Sequence, residues 1–197
     1  MLPPNAGRVL ELGCGSGETL AWLRGIHKAS YTVGIEISEA AANAAKGHAD
    51  EIHWADFERD DIDLQGQKFN VILCLDVLEH MVDPWNVVDC LVSKYLEVGG
   101  TLVVSLPNVR HYSVVLPLLF GGRWDYADAG LLDRTHLRFF TRRTAQKLLS
   151  HPQLGELSYA ATGFAGFSKK RFFNALTLGI FRELLTYQYY LTSCKAR

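Results

Sequence analysis

A glycine-rich turn near the N-terminus is the first segment whose residue spacing points to a ligand. The apolar run Val9–Leu12 leads into Gly13, Gly15 and Gly17, at alternate positions. Glycine lets the chain turn tightly and lets a ligand approach the backbone. A dinucleotide enzyme would hold pyrophosphate at such a helix start. Here the spacing is GxGxG instead of GxGxxG, and Glu18 disfavours an anion, so a cationic or zwitterionic ligand fits better.

Acidic side chains follow the next three predicted strands. Glu36 closes the second strand, Asp56 follows the third and Asp76 ends the fourth. A carboxylate after the second strand can accept hydrogen bonds from ribose hydroxyls. Asp56 could accept from an adenine amino group, with Phe57 or Ile37 against the ring. Each acid alone is more simply a solvated surface group, but together they fall at one edge of a parallel sheet.

The elements that must position these residues alternate between strand-like and helix-like segments. This alternation predicts βαβ units and a parallel sheet covered on both faces, with ligands outside the carboxyl ends of the strands. The one long irregular segment, 107–140, is of a length that usually carries function. We predict strands over 8–12, 31–35, 52–54, 69–75, 101–105, 157–161 and 185–191. We predict helices over 18–26, 40–45 (capped by Ser38), from Asp83-Pro84 (capped by Asp83) to Gly99-Gly100, 141–149 (capped by Thr141) and about 171–181.

These segments together resemble the class I S-adenosylmethionine-dependent methyltransferases. ELGCGSG resembles the first motif of that family, GIEIS its acidic second-strand end, ADF its adenine-side motif and FNVILCLDVLEHMVDP its fourth-strand motif. The resemblance implies an α/β, Rossmann-like, doubly wound sheet of seven strands in the order 3-2-1-4-5-7-6. It implies that the last strand is antiparallel and that helices cover both faces. Because the likeness extends over essentially the whole chain, we expect a single domain, 1–197.

The resemblance also implies S-adenosylmethionine as the cofactor and S-adenosylhomocysteine as its product. By position, the glycine loop approaches the methionine portion and is supported by Glu11, while Glu36 holds the ribose. Asp56 binds the adenine amino group, and Asp76 lies on the reacting side. The predicted cofactor-binding residues are Glu11, Gly13, Cys14, Gly15, Gly17, Glu36, Ile37, Asp56, Phe57, Leu75 and Asp76.

Two histidines are the candidates for catalysis. Methyl transfer from a sulfonium depends mainly on alignment and exclusion of water, and a hydroxyl acceptor also benefits from a nearby base. His80 follows the fourth strand in LEH, and His136 lies in LDRTHLRFFT just before a helix. The structural alternatives are that His80 orders the cofactor loop and that His136 anchors the long loop.

The acceptor is predicted from weaker likenesses. LDRTHLRFFT and SLPNVRHYS resemble a subgroup found beside, or fused to, glycosyltransferases of surface-polysaccharide pathways, and LEH resembles the ubiquinone-pathway O-methyltransferases. They suggest O-methylation of a small hydroxylated acceptor, with a sugar or glycan intermediate as one option. The charged candidates among the acceptor residues could equally pair with one another to hold the loop. The candidate acceptor-binding residues are Asn108, Arg110, His111, Asp133, Arg134 and Arg138.

Two other functions stay open. SLPNVRHYS also resembles the MetW-like proteins, which act with an acyltransferase partner, so a non-catalytic, regulatory module on the same fold is the alternative. The chain departs from those proteins in LEH and LDRTHLRFFT. A nicotinamide oxidoreductase is disfavoured by the GxGxG spacing.

Composition bounds the remaining partners. The 197 residues carry 20 basic and 21 acidic side chains, a net charge of −1, which gives no broad basic field for nucleic acid. The four cysteines, Cys14, Cys74, Cys90 and Cys194, form no CxxC pair, so we expect neither a metal site nor a disulfide framework.

The ends of the sequence add expectations about location and access. MLPPNAGR does not resemble a signal peptide and there is no apolar run of 18 residues, so we expect a cytoplasmic protein. The basic and apolar segment 169–181 favours packing on the sheet or a subunit contact, as in a homodimer, over a membrane surface. Because the first strand begins near Arg8, we expect either that a covering N-terminal segment is missing from this sequence or that the 107–140 loop acts alone as the lid.

Overall fold

The strands form one seven-stranded sheet in the order β3-β2-β1-β4-β5-β7-β6. The computed structural model describes residues 2–162, 179 and 181–196. Strands β1 to β5 pair in parallel, and β7 runs antiparallel to both β5 and β6. The order and the antiparallel last strand implied by the resemblance are thus confirmed. The strands are β1 Gly7–Leu12, β2 Ala29–Glu36, β3 Glu51–Trp54, β4 Phe69–Leu75, β5 Leu96–Pro107, β6 Ser158–Ala161 and β7 Gln188–Cys194.

Helices connect the strands, and several begin at side-chain caps. Ser38, Asp83 and Thr141 each accept a hydrogen bond from a backbone N–H three residues ahead, as predicted. The α-helices are α1 Glu18–Gly25, α2 Glu39–Ala45, α3 Pro84–Cys90, α4 Tyr112–Gly121, α5 Arg142–Leu148 and α6 Arg182–Leu185. A 3-10 turn covers Leu78–His80, and α3 continues as a π-helix over Leu91–Tyr95.

Three sequence predictions need correction, and a fourth is untested. Gly99 and Gly100 do not end the helix after Pro84, since β5 has already begun at Leu96 and the pair lies at a register shift within it. Segment 185–191 is not one strand, because α6 ends at Leu185 and β7 begins at Gln188. Segment 107–140 is not irregular throughout, because α4 lies inside it. The helix predicted over 171–181 lies outside the described residues, apart from positions 179 and 181.

The core lies on both faces of the central strands. Leu10 and Ile72 face the cluster that includes residues of α3 and α5, whereas Val9 and Val71 face the cluster beneath α1. Successive side chains of a strand point to opposite faces, so a strand covered on both sides is apolar throughout. This two-sided packing fixes the carboxyl ends of β1, β2, β4 and β5 at one edge. Within the described part of the chain, no helix has the length and apolar character needed to cross a membrane.

Candidate functional site

The glycine loop between β1 and α1 requires glycine for two reasons. Gly13, Gly15 and Gly17 all have positive φ, of 69°, 55° and 80°, a conformation that side chains disfavour. A Cβ at Gly13 would lie 2.6 Å from Cγ2 of Val77, so there is also no room for one. The loop therefore presents backbone to the carboxyl edge of the sheet.

Glu36, at the end of β2, holds this loop in place. One carboxylate oxygen accepts a hydrogen bond from the N–H of Gly15 and the other from the N–H of Ser38, each at 2.8 Å. Each carboxylate oxygen has a second lone pair. Glu36 can therefore position the loop and still accept hydrogen bonds from two neighbouring hydroxyls of a ligand.

Glu11, in β1 just before the glycine loop, carries an uncompensated charge when ionised. Its side chain is buried, and its Oε2 atom has no hydrogen-bond partner. Burial raises the pKa of Glu11 to about 7, partly opposed by a hydrogen bond with the Thr19 side chain. Burial also raises the pKa of the Cys14 thiol to about 12, helped by the charges of Glu11 and Glu36. This negative region suits a ligand with a positive group.

Asp76, just after β4, has a backbone conformation that is rare for a residue with a side chain. Its φ is 51°, and such local strain clusters at functional sites. Its N–H donates to Oγ of Ser105 at 2.9 Å, and its Oδ1 accepts from the same hydroxyl at 3.0 Å. Gln188 of β7 donates a third hydrogen bond to Oδ1. Sequence reasoning missed Ser105 and Gln188, which lie 29 and 112 positions away.

Asp56 and Phe57 form the far wall of the same edge. The Asp56 carboxylate accepts from the N–H of Glu58 at 3.0 Å and lies 3.5 Å from the guanidinium of Arg59. The Phe57 ring packs edge-on against Tyr95, with the centroids 6.3 Å apart. These contacts fix an acid and an aromatic ring side by side.

These residues surround a cavity of about 900 Å³, a size typical of ligand sites. We call it the cofactor cavity. The predicted cofactor residues in its wall are Gly13, Glu36, Ile37, Asp56, Phe57 and Asp76. The other predicted cofactor residues, Glu11, Cys14, Gly15, Gly17 and Leu75, are not part of that wall. Wall residues that sequence reasoning missed include Glu58, Arg59, Val77, Met81, Val82, Asp83, Asn86 and Thr135. Proximity to the LEH motif was a usable signal for several of them.

The two predicted catalytic histidines meet, although they lie 56 positions apart in the chain. The rings of His80 and His136 pack edge to face, with centroids 4.8 Å apart. His80 lines the cofactor cavity, whereas His136 lines a second cavity of about 590 Å³. Leu137 lines both, so the histidine pair lies at the boundary between the cavities. The second cavity is completed by Tyr126, Arg134 and Phe139.

Glu79 is a site residue that sequence reasoning missed. Its carbonyl oxygen accepts hydrogen bonds from the N–H groups of Leu137 and Arg138, at 2.8 and 2.9 Å. Its buried carboxylate lies 4.0 Å from Nε2 of His136. Burial raises the pKa of Glu79 to about 8, and burial lowers the pKa of His136, as does the nearby His80. Glu79 thus attaches the long loop and also faces the histidine pair.

Two of the predicted acceptor residues make buried contacts within the fold. Asn108 is fully buried, and its amide donates to the carbonyls of Glu183 and Thr186, each at 2.7 Å. His111 is also buried and caps α4 by accepting from the N–H of Ser113. Neither side chain lines either cavity, because both tie the end of β5 to neighbouring elements.

Three of the four charged candidates for acceptor binding make hydrogen bonds or ion pairs that hold the loop. The Asp133 carboxylate accepts two hydrogen bonds from Thr135, and the side-chain bond is the main cause of its lowered pKa. Arg138 donates to the carbonyl of Val82. Arg134 pairs with Asp128 at 2.6 Å but also lines the second cavity. Arg110 is exposed and lines neither cavity.

Comparison with known proteins identifies similarities over most of the chain. A family described as "Methyltransferase domain" matches residues 1–154. A ubiquinone biosynthesis O-methyltransferase of Coxiella burnetii is 31% identical over 121 residues, which cover 59% of this chain and 50% of that protein. The chain therefore matches about half the length of such curated relatives.

Solved structures share the fold at low sequence identity. A SAM-dependent methyltransferase from Archaeoglobus fulgidus superposes with a TM-score of 0.67 at 17% identity, covering 98% of this chain and 87% of that one. The plantazolicin methyltransferase BpumL, solved in complex with SAH, superposes with a TM-score of 0.66 at 19% identity, covering 98% and 77%.

Replacement of Asn108 by leucine tests its structural role. Asn108→Leu leaves the carbonyls of Glu183 and Thr186 without their buried donor, so we expect the free energy of unfolding to fall by about 2–4 kcal/mol. Asn43→Leu, at an exposed position of α2, is the control and should change it little. Urea unfolding measures both variants. A wild-type unfolding midpoint for Asn108→Leu would contradict the structural role.

The buried Glu11 predicts an inverse dependence of stability on pH. Its folded pKa of about 7 exceeds the unfolded value of 4.5, so ionisation above pH 4.5 favours the unfolded chain. Its contribution to stability is therefore full below pH 4.5 and falls as the pH rises to about 7. Glu11→Gln should remove this loss. The free energy of unfolding of the variant, relative to that of the wild type, should therefore rise by about 3 kcal/mol from pH 4 to pH 8.

The measurement is unfolding at both pH values without added ligand, with Glu156→Gln at an exposed loop position as the control. A stability difference between Glu11→Gln and wild type that stays the same at pH 4 and pH 8 would show that Glu11 does not titrate in this range.

Proposed function

We propose, from the premise that the chain belongs to the methyltransferase-domain family, that it transfers a methyl group from S-adenosylmethionine to a hydroxyl of a small acceptor. The observation that carries the proposal is the adjacency of two cavities, with the glycine loop and Glu36 serving the first and the histidine pair at their boundary. Such an arrangement can align a donor and an acceptor.

The cofactor cavity has the groups that S-adenosylmethionine requires. Glu36 has free lone pairs for the two ribose hydroxyls, and Asp56 with Phe57 offers an acceptor and a ring surface for adenine. The unpartnered carboxylate oxygen of Glu11 lies behind the glycine loop, where a positively charged ligand would favour its ionised form. When bound, S-adenosylmethionine supplies a methyl group on a sulfonium with a good leaving group.

The second cavity is the proposed acceptor site. Tyr126, Leu137 and Phe139 offer apolar and aromatic surface, and Arg134 offers a positive charge at its rim. This lining suits a ring that carries hydroxyls, either a sugar or an aromatic ring. Similarity to ubiquinone biosynthesis O-methyltransferases supports O-methylation. The glycan-related acceptor stays a prediction from the sequence.

The histidine pair lies where the acceptor hydroxyl must lose its proton. Nδ1 of His80 contacts the carbonyl oxygen of Thr135 at 3.2 Å, and Nδ1 of His136 contacts the carbonyl oxygen of Leu131 at 3.3 Å. A carbonyl only accepts, so each neutral ring carries its hydrogen on Nδ1 and its lone pair on Nε2. Both lone pairs are then available for the chemistry at the acceptor oxygen.

Calorimetric titration with S-adenosylhomocysteine tests the cofactor assignment. We expect a micromolar dissociation constant for the wild type, weakened about tenfold to a hundredfold by Glu36→Gln because a charged acceptor of ribose hydrogen bonds is lost. Glu39→Gln, on the exposed side of α2, should retain wild-type affinity. Equal affinity in all three proteins would overturn the role of Glu36. A rise in melting temperature with NAD but not with S-adenosylhomocysteine would overturn the proposed function.

Labelled methyl transfer into a panel of nucleotide sugars and catechols tests the histidines. With an accepted substrate, His80→Gln and His136→Gln should each lower kcat by about 10²–10⁴-fold and leave the S-adenosylhomocysteine affinity near wild type. His53→Gln, outside both cavities, is the control. Near-normal turnover in both site variants would mean that alignment alone drives the transfer.

A further inference from the structure

Three groups that can ligate a metal converge at the boundary of the two cavities. Glu79, His80 and His136 each offer one ligand atom, and these atoms all lie within 4.8 Å of one another. Glu79 is 1% exposed, and its Oε2 atom has no hydrogen-bond partner. A buried carboxylate oxygen without a donor is costly, and this one is free to ligate an ion.

The hydrogen bonds around His80 orient its lone pair. The Thr135 hydroxyl donates to Asp133 at 2.6 Å, so its oxygen can only accept from His80. The Thr135 carbonyl can likewise only accept. Nδ1 of His80 must therefore carry the hydrogen, and its lone pair lies on Nε2.

His136 is oriented in the same way. Its Nδ1 contacts the carbonyl oxygen of Leu131, which leaves the lone pair of the neutral ring on Nε2. That atom lies 4.0 Å from Oε1 of Glu79, too far for a hydrogen bond. Metal-binding histidines commonly donate their second ring nitrogen to a backbone carbonyl, as both of these rings do.

We propose that Glu79, His80 and His136 bind a divalent transition-metal ion, with Zn²⁺ as the best match. Two imidazole nitrogens and one carboxylate form a ligand set that suits such ions and leaves coordination positions open. At the tetrahedral angle, two ligand atoms about 2.1 Å from an ion lie roughly 3.4 Å apart. Ion binding would therefore have to close the 4.0 Å spacing by about 0.6 Å and the widest separation by about 1.4 Å.

The position of this site assigns it a role that rests on the proposed function. His80 lines the cofactor cavity and His136 the second cavity, so a bound ion would lie between donor and acceptor. With the ion bound, the Nε2 lone pairs of both histidines are occupied, so the ion replaces them in activating the acceptor. An acceptor hydroxyl in an open coordination position would have a lower pKa and release its proton to solvent. The oxygen then forms its bond to the methyl carbon as the carbon–sulfur bond breaks. That electron pair stays on sulfur, which becomes a neutral thioether.

This site departs from the absence of a metal that the cysteine spacing predicts. The cysteine argument does not apply here, because the ligands are a carboxylate and two imidazoles from distant segments. The LEH motif supplies two adjacent ligands, and the loop supplies the third.

Metal titration of the EDTA-treated full chain tests the proposal without any acceptor. We expect calorimetry to show one Zn²⁺ site with a micromolar or tighter dissociation constant, and Co²⁺ to give a visible absorption band typical of nitrogen ligation. Glu79→Gln, His80→Gln and His136→Gln should each weaken Zn²⁺ binding at least about tenfold. His151→Gln, whose ring pairs with Asp89 elsewhere on the surface, should bind as the wild type does.

Circular dichroism of every variant establishes whether it is folded. His80 is the least buried of the three residues, so His80→Gln still tests the site if Glu79→Gln unfolds. Zn²⁺ binding weaker than millimolar, or equal binding by wild type and His80→Gln, would overturn the metal site. S-adenosylhomocysteine is titrated in parallel. Its binding without Zn²⁺ binding would overturn only the metal site, whereas its failure to bind would overturn the proposed function.

Discussion

Two hydrogen bonds to the carbonyl of Glu79 hold the site together. The N–H groups of Leu137 and Arg138 donate to this one oxygen, which attaches a loop late in the chain to the turn that follows β4. The attachment brings His136 against His80 and places Leu137 in the walls of both cavities. The turn follows a strand that is packed on both faces, so it holds the loop in a fixed position. Alignment of reacting groups requires such fixed positions.

Two buried carboxylates lie in segments that line the cofactor cavity, although neither side chain lines it. Glu11 lies behind the glycine loop, and Glu79 lies beneath the histidine pair. Burial raises the pKa of each, so the ligand-free protein is less stable whenever they are ionised. A positively charged ligand close to either carboxylate would offset the free-energy cost of ionising it.

The segment between β5 and α5 performs two separate tasks. Its first part, with Asn108 and His111, ties the end of β5 to α6 and α4 by buried hydrogen bonds. Its last part, with Thr135 and His136, enters the site. Polar residues in one loop thus divide between buried anchoring contacts and positions beside the cavities, and their side-chain types alone do not distinguish the two.

The cofactor edge was readable from the sequence because its signals are local. A strand ends where its apolar run ends, so Glu36, Asp56 and Asp76 could be placed at the carboxyl edge from their positions alone, and α2, α3 and α5 begin at predicted caps. Residues outside those local patterns, such as Ser105, Gln188 and Glu79, were missed. The glycine pair at 99–100 indicated a helix end, yet a register shift within β5 accommodates it.

The residues at the boundary between the two cavities come from distant parts of the chain and are brought together by tertiary packing. Whether Asn108 binds an acceptor or caps carbonyls depends on Glu183 and Thr186, more than 70 positions away. The packing of His80 against His136, and the proximity of Glu79 to both, depend on how the loop lies against the turn after β4. Residue types and spacing therefore predict the half of the site built on consecutive strand ends. The other half exists only once the folded chain buries distant segments against each other, because their contacts leave no periodic signal in the sequence.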